Sequence, residues 1–257
     1  FVVRIKSNGH ALRGELARRL RDEVDPYVVE VSLHGACAET HDRQTRVAGS
    51  FVRLLENVRE LTALGVRVKV NSTLTRWNES EIDGMYAITD ALGVSLRFDL
   101  QVSPRDNGDR TPLDIAPTLD GIKALMRADD RRYAAFAPGD AVARPVLDDE
   151  MPAPQDKHCG AGSAGIAIDP YGNIYPCVQW RRSVANLHET TIGALWGSAF
   201  DEIRGLTAEA KGVVAQHPRG RLLNFCPGLA EMLTGSPVTV PAEMEQQAEI
   251  VENATKG

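Results

Sequence analysis

The chain has 257 residues, 43% hydrophobic and 25% charged, with a net charge of −6 from 29 basic and 35 acidic side chains. That is a normal globular composition, enough for one large core or two modest ones, and with no basic stripe interleaved with aromatics it speaks against nucleic-acid binding. Four cysteines are too few for a disulfide-dense secreted scaffold. No 18-residue apolar run and no charged-then-apolar leader is visible, so the expectation is a cytoplasmic protein with no membrane partner.

From the start, strand and helix alternate. Val2–Lys6 reads as a strand ending in the turn signal Ser7-Asn8-Gly9. Residues 13–23 have helical spacing, with Arg13, Arg18, Arg19 and Arg21 interleaved with Glu15, Asp22 and Glu23, which is a solvated face. Tyr27–Leu33 is a β-branched strand running into His34-Gly35. Phe51, Leu54, Leu55, Val58, Leu61 and Leu64 form the stripe of an amphipathic helix stopped by Gly65. Val66–Leu74 is the next strand. Asn78 with Glu81 three residues on predicts a capping-box start to the following helix, and Val94–Val102 is a strand again.

This regularity predicts parallel strands with right-handed crossovers, in a doubly wound sheet or part of a (β/α) barrel. Barrel chemistry sits at the C-terminal strand ends, which here carry Asn8, Ser32, His34, Asn71, Thr73, Arg97 and Asp99. Arg97 and Asp99 share a strand face by the two-residue period, and an ion pair between them is the plain alternative.

Residues 103–157 are Pro- and Gly-punctuated, with a helix over Leu119–Met126 and an acidic, Pro-rich connector over 148–154. Beyond lie three of the four cysteines: Cys159, Cys177 and Cys226. Ile166–Ile168 and Ile174-Tyr175 read as short strands around the turn Asp169-Pro170-Tyr171-Gly172-Asn173. A hairpin there brings Cys159 and Cys177 together. A disulfide and plain buried thiols are the bland readings. Thiolates in Gly/Pro-rich loops favour zinc or an iron–sulfur cluster, and spacing alone does not choose between them. Cys37, far upstream, reads as a structural thiol. After Pro237 the tail is polar, with a fraying helix at about 242–252.

Cys159-x12-Gly172-x4-Cys177, followed by Asn186-Leu187 and Leu195-Trp196, then Phe200 and Arg204, resembles the SPASM and "twitch" domains that follow the barrel of many radical S-adenosylmethionine (radical SAM) enzymes. The first half is similar to the radical SAM barrel: Ser7-Asn8-Gly9 to the end of its third strand, Val29–Gly35 to its fourth and Val70–Thr75 to its fifth. The implied fold is α/β: a partial (β/α) TIM-like barrel over 1–128, a linker over 129–157, a small α+β SPASM/twitch domain over 158–237 and a polar tail over 238–257. The family's Cys-x3-Cys-x2-Cys and Gly-Gly-Glu-Pro do not occur in these residues, so the sequence is expected to be an N-terminally truncated fragment, inactive by itself.

The resemblance implies one auxiliary [4Fe–4S] cluster on Cys159, Cys177 and Cys226, its fourth ligand missing, exogenous or non-cysteine, with His158 and His217 as the nearest histidines. It also implies S-adenosylmethionine and a second [4Fe–4S] cluster in the whole protein, and places Ser32, Asn71 and Arg97 where such barrels touch the ribose and carboxylate of S-adenosylmethionine. The expected activity is hydrogen abstraction by a 5′-deoxyadenosyl radical from a peptide or protein substrate, with a flavodoxin or ferredoxin as electron donor. No catalytic residue is assigned. The alternatives are an α/β protein with a structural Cys3His zinc site and a non-catalytic peptide-binding module.

Overall fold

The computed structural model describes residues 2–105, 107–136 and 159–255. They fall into two compact units: the described residues of Phe1–Val102 with Pro112–Asp140, and those of Ser103–Thr111 with Ala141–Gly257. The acidic Pro-rich connector and His158 lie outside the described residues.

The first unit is a four-stranded parallel sheet, in the order β1 (Arg4–Ser7), β2 (Val28–Ser32), β3 (Val68–Thr73), β4 (Ser95–Asp99). Its crossovers are α1 (Gly14–Arg19, continued by a π-turn over Leu20–Val24), α2 (Ala38–Thr45) with α3 (Ser50–Ala63), and α4 (Ile82–Ala91). One face of the sheet is aliphatic. Val29, Val31, Val68 and Val70 pack with Leu54, Val58, Leu61 and Met85 from the helices. The other face is polar, as expected of strands whose second face lines a barrel interior. The helix read over Leu119–Met126 runs on as α5 (Leu119–Phe136), because the buried stripe Ile122, Leu125, Ala128 continues beyond Met126.

The capping box does not form. α4 has Glu81, not Asn78, at its N-cap, and no side chain caps it. Asn78, 1% exposed, accepts from the Thr75 N–H at 2.8 Å and donates to the carbonyls of Thr73 (3.0 Å) and His34 (3.2 Å). The Glu81 carboxylate accepts from the Ala36 N–H and the Thr40 hydroxyl. Both residues are drawn instead to groups at the exits of β2 and β3 and to the Thr40 hydroxyl of α2, where backbone donors and acceptors shielded from water need partners more than a helix end open to water does. Asp42 supplies the equivalent service to α3, accepting from the Gly49 and Phe51 N–H groups and the Ser50 hydroxyl.

In the second unit β5 (Ala167–Ile168) and β6 (Asn173–Tyr175) pair antiparallel, with β7 (Ala185–Asn186) beyond β6. Then come α6 (Ile192–Leu195), α7 (Asp201–Gln216), α8 (Pro227–Thr234) and α9 (Ala242–Thr255). The hairpin turn is as the sequence predicts. Gly172 has φ +83°, and a Cβ there would lie 3.0 Å from the His188 ring and 3.1 Å from Asn186 Oδ1. α9 is a docked helix, not a frayed tail: Met244 and Ala248 are buried with Leu223 and Leu229, while Glu245 and Glu252 pair with His217 and Arg219. Among the described residues no helix is long and apolar enough to cross a membrane.

Candidate functional site

Three local structures place the three cysteines in the second unit, Cys159 and Cys226 lining one pocket. Cys159 opens a tight loop in which the N–H groups of Ser163, Ala164 and Gly165 all point at the Gly160 carbonyl. The Gly162 N–H reaches the carbonyl of Pro176, at 3.1 Å, the residue before Cys177. That bond joins the two ends of the hairpin. Arg204 pins the same loop to α7, donating to the carbonyls of Gly162 (3.0 Å), Gly197 (2.6 Å) and Trp196 (2.7 Å). Cys177 ends the hairpin in a bridge with Trp180, which is 1% exposed and donates its indole N–H to Glu231 of α8; Arg182 pairs with the same carboxylate. Cys226 is the N-cap of α8, with Pro227 at the first helical position, where Pro is best tolerated.

Gly228 sets how closely α8 approaches. A Cβ on it would stand 2.7 Å from both Cα and Cβ of Trp180 and 2.9 Å from the Gln179 carbonyl. Only a residue without a Cβ lets the Cys226 end of α8 lie on the Cys177–Trp180 turn.

All four cysteines are free, so the disulfide reading falls. Burial pushes the thiols of Cys159 and Cys226 above their ordinary pKa. Backbone N–H groups oppose it, from Ala161 at Cys159 and from Leu229 and Gly228 at Cys226. The neighbouring sulfurs add to the rise, Cys177 acting on Cys159 and both of them acting on Cys226. Thiols whose sulfurs meet backbone N–H groups, as at Cys159 and Cys226, are a donor set suited to a metal group that prefers thiolate.

A single zinc ion would need a fourth ligand beside the three thiols, and among the described residues no group of three or more His, Cys, Asp or Glu side chains is gathered closely enough to hold a metal ion as it stands. His217 is not the fourth ligand: its Nε2 is 2.7 Å from Glu245 and its Nδ1 accepts from the Arg219 N–H. Cys37 is exposed at the N-cap of α2, its sulfur within hydrogen-bond reach of Thr40 and Glu81.

The first unit has a site of its own on the polar face of its sheet. A cavity of about 890 Å3 is lined by all seven strand-end residues singled out in the sequence. Ser32, Asn71 and Arg97 lie in one row, Ser32 opposite Asn71 and Asn71 opposite Arg97. Arg97 and Asp99 share this face but form no ion pair among the described residues; Asp99 instead accepts from the Gln101 N–H. One layer down, Lys6, Glu30 and Lys69 form a second row. Glu30, 8% exposed, is held by Arg4 (3.1 Å), Lys6 (3.6 Å) and the Asn71 amide (3.1 Å). The sequence reading passed over Glu30, although a lone carboxylate inside the run Val28-Val29-Glu30-Val31 was the signal that could have marked it.

His34, at the mouth of the cavity, rests on the ring of His41, 5.5 Å between centroids. His41 is 2% exposed, and its Nδ1 accepts from the His34 N–H at 3.1 Å, so it is neutral with its proton on Nε2. Burial, followed by the His34 charge, lowers its pKa to about 4. A folded-state pKa below the ordinary 6.5 means that the unfolded chain binds the proton more tightly. This contribution is therefore complete above pH 6.5 and lost as pH falls towards 4, by on the order of 2–3 kcal/mol. Urea unfolding at pH 7 and pH 4.5 should show a smaller acid loss in His41→Gln than in the wild type; equal losses would contradict it.

The comparisons decide the family. The SPASM model, described as an iron–sulfur cluster-binding domain, matches residues 159–220. The mycofactocin maturase MftC of Mycobacterium ulcerans is 31% identical over 179 residues, 68% of this chain and 47% of that protein. The chain belongs to the radical SAM family that carries a SPASM domain. The subtilosin biosynthesis protein AlbA of Bacillus subtilis is 24% identical over 217 residues, 84% of this chain and 46% of AlbA. Among solved structures, native anSMEcpe with bound AdoMet and the Cp18Cys peptide superimposes with a TM-score of 0.64 at 14% identity, over 100% of this chain and 77% of that one. The α/β fold of a partial TIM-like barrel with a SPASM domain is thus confirmed. The radical SAM–SPASM chain described here spans about half the length of the curated relatives it matches. Its SPASM match ends at residue 220, before Cys226.

Proposed function

We propose that the protein containing this chain abstracts a hydrogen atom from a peptide or protein substrate by way of a 5′-deoxyadenosyl radical, a maturase-type oxidoreductase. Its barrel part runs to about residue 128 and its cysteine domain from 158 to 237. In this reading Cys159, Cys177 and Cys226 hold one auxiliary [4Fe–4S] cluster, which supplies one-electron chemistry when bound. The observation that carries the proposal is a SPASM hairpin whose Cys159 loop is bonded to Pro176 beside Cys177, with Cys226 lining the same pocket as Cys159.

The chain's own residues bind and orient. Arg97 offers a guanidinium fork and Asn71 an amide to a carboxylate, and Ser32 a hydroxyl to a ribose, all in one row. These are the groups through which S-adenosylmethionine would be held. The low-potential electron would come from a flavodoxin- or ferredoxin-type donor in the cytoplasm. Nothing in the charge pattern calls for nucleic acid. The maturase and bacteriocin-biosynthesis names among the relatives and the peptide in the superimposed structure favour a peptide substrate over the zinc-protein and binding-module alternatives.

The test is anaerobic reconstitution with iron and sulfide. The wild type should bind about four irons with broad visible absorbance, and Cys159→Ala, Cys177→Ala and Cys226→Ala should each lose most of both. One zinc per chain and no visible band would overturn the cluster; full iron retention in Cys226→Ala would remove that residue from the ligand set.

A further inference from the structure

One side chain around the thiols has no part in the scaffold. A pocket of about 220 Å3 is lined by Cys159 and Cys226 and by Thr207, Ala210, Lys211 and Val214 of α7. Those four positions recur at i, i+3, i+4 and i+7, so one face of α7 looks onto the sulfurs. The Thr207 hydroxyl is spent on the Arg204 carbonyl, at 2.8 Å, and Ala210 and Val214 are buried and apolar. Phe225 and Pro227 complete the lining, also apolar.

Lys211 is the one cation of this lining, and it makes no ion pair among the described residues. The nearby cations that do pair are committed elsewhere: Arg204 to Asp201 and to the Cys159 loop, Arg182 to Glu202 and Glu231. A lysine at the rim of an apolar pocket lays its stem along the wall and keeps its ammonium in water. Here the same lining carries thiolate once a cluster is bound, and the negative charge there grows by one on reduction. A positive charge at the rim of a small, largely apolar pocket stabilises the reduced form more than the oxidised form.

We infer that Lys211 acts through the auxiliary cluster held by Cys159, Cys177 and Cys226, raising its reduction potential across the α7 pocket. The inference rests on the proposed cluster. It makes Lys211 a positioning residue for charge, since it touches neither substrate nor iron. The step concerned is the gain of one electron from the reductant, with no bond formed or broken.

The experiment uses the full chain as wild type, Lys211→Ala, Lys211→Arg and Lys211→Glu, each reconstituted anaerobically. Iron content and the oxidised spectrum are measured first, then the midpoint potential by titration with dithionite. Iron should be equal in all four. The potential should fall in Lys211→Ala, fall further in Lys211→Glu and return to near wild type in Lys211→Arg. At a fixed potential the reduced fraction of Lys211→Ala should be severalfold lower. Raising the salt concentration should narrow the gap, because an exposed charge is screened. Equal potentials at equal iron content would overturn the inference and leave the cluster standing. Iron content that follows the charge at position 211 would also overturn it, since Lys211 would then hold the site together instead of tuning it. A wild type that takes up no iron overturns the cluster and this inference with it.

Discussion

Gly228→Ala should cost the second unit about 1–3 kcal/mol, the range for forcing an extra methyl into a packed contact, and should lower iron uptake out of proportion to its size. The added Cβ would meet backbone, the Cα of Trp180 and the Gln179 carbonyl, and not a side chain that can swing away. To relieve the clash the start of α8 must move off the Cys177–Trp180 turn, and Cys226, as its N-cap, moves with it. Two further links resist that movement, the Trp180 indole and the Arg182 guanidinium on Glu231. The strain is therefore shared between α8 and the turn, and both should exchange amide hydrogens faster. Gly212→Ala is the control. Its Cβ would meet nothing within 4 Å, in the middle of α7, so the change should be neutral or stabilising by up to about 1 kcal/mol. Normal iron uptake by Gly228→Ala, or equal losses in both variants, would show that close helix approach is not what places Cys226.

Much of this arrangement was legible because it is local. Asp169-Pro170-Tyr171-Gly172-Asn173 carries its own turn chemistry, and Asp169 satisfies it within four residues, accepting from the N–H groups of Tyr171 and Asn173. The strand-end row Ser32, Asn71, Arg97 follows from period-two alternation once the strands are placed, because parallel pairing fixes which ends meet. The resemblance to SPASM domains named Arg204 but not its task, which is to bond three carbonyls of two separate loops. What sequence could not show was partnership at long range. Asn78 and Glu81 have the spacing of a capping box, yet their partners at Ala36, Thr40 and His34 lie about forty positions upstream. Glu30 sits in an otherwise aliphatic strand, and its burial is tolerable only because Arg4, Lys6 and Asn71 come to it from two other strands. The C-terminal helix α9 looks polar in sequence, and it is the cluster around Leu223 and Leu229 that gives its Met244 and Ala248 something to bury against.

Asn78→Ala should be the most damaging single change in the first unit, at about 3–5 kcal/mol, since each buried backbone group left without a partner costs about 1–3 kcal/mol. Three such groups bond to this one amide: the Thr75 N–H, the carbonyl of His34 and the carbonyl of Thr73, whose one other donor among the described residues is the Ser72 hydroxyl at 3.4 Å. The last two lie at or just past the C-terminal ends of β3 and β2, so the amide ties together the exits of neighbouring strands. Ser32 and Asn71 stand two residues before His34 and Thr73, and the row they form with Arg97 depends on those exits staying in register. Asn78→Asp separates hydrogen bonding from size. A carboxylate keeps an acceptor for Thr75 but sets a negative charge against two carbonyl oxygens in a site 1% exposed, a buried charge with no cation to meet it. It should therefore be at least as destabilising as alanine. The measurement is urea unfolding of the three proteins at pH 7, with hydrogen exchange at the amides of residues 28–34 and 68–75 to assign the loss to this unit. A loss below about 1 kcal/mol in Asn78→Ala, or near-normal stability in Asn78→Asp, would mean that solvent already reaches these carbonyls. The strand exits would then be held by the sheet alone.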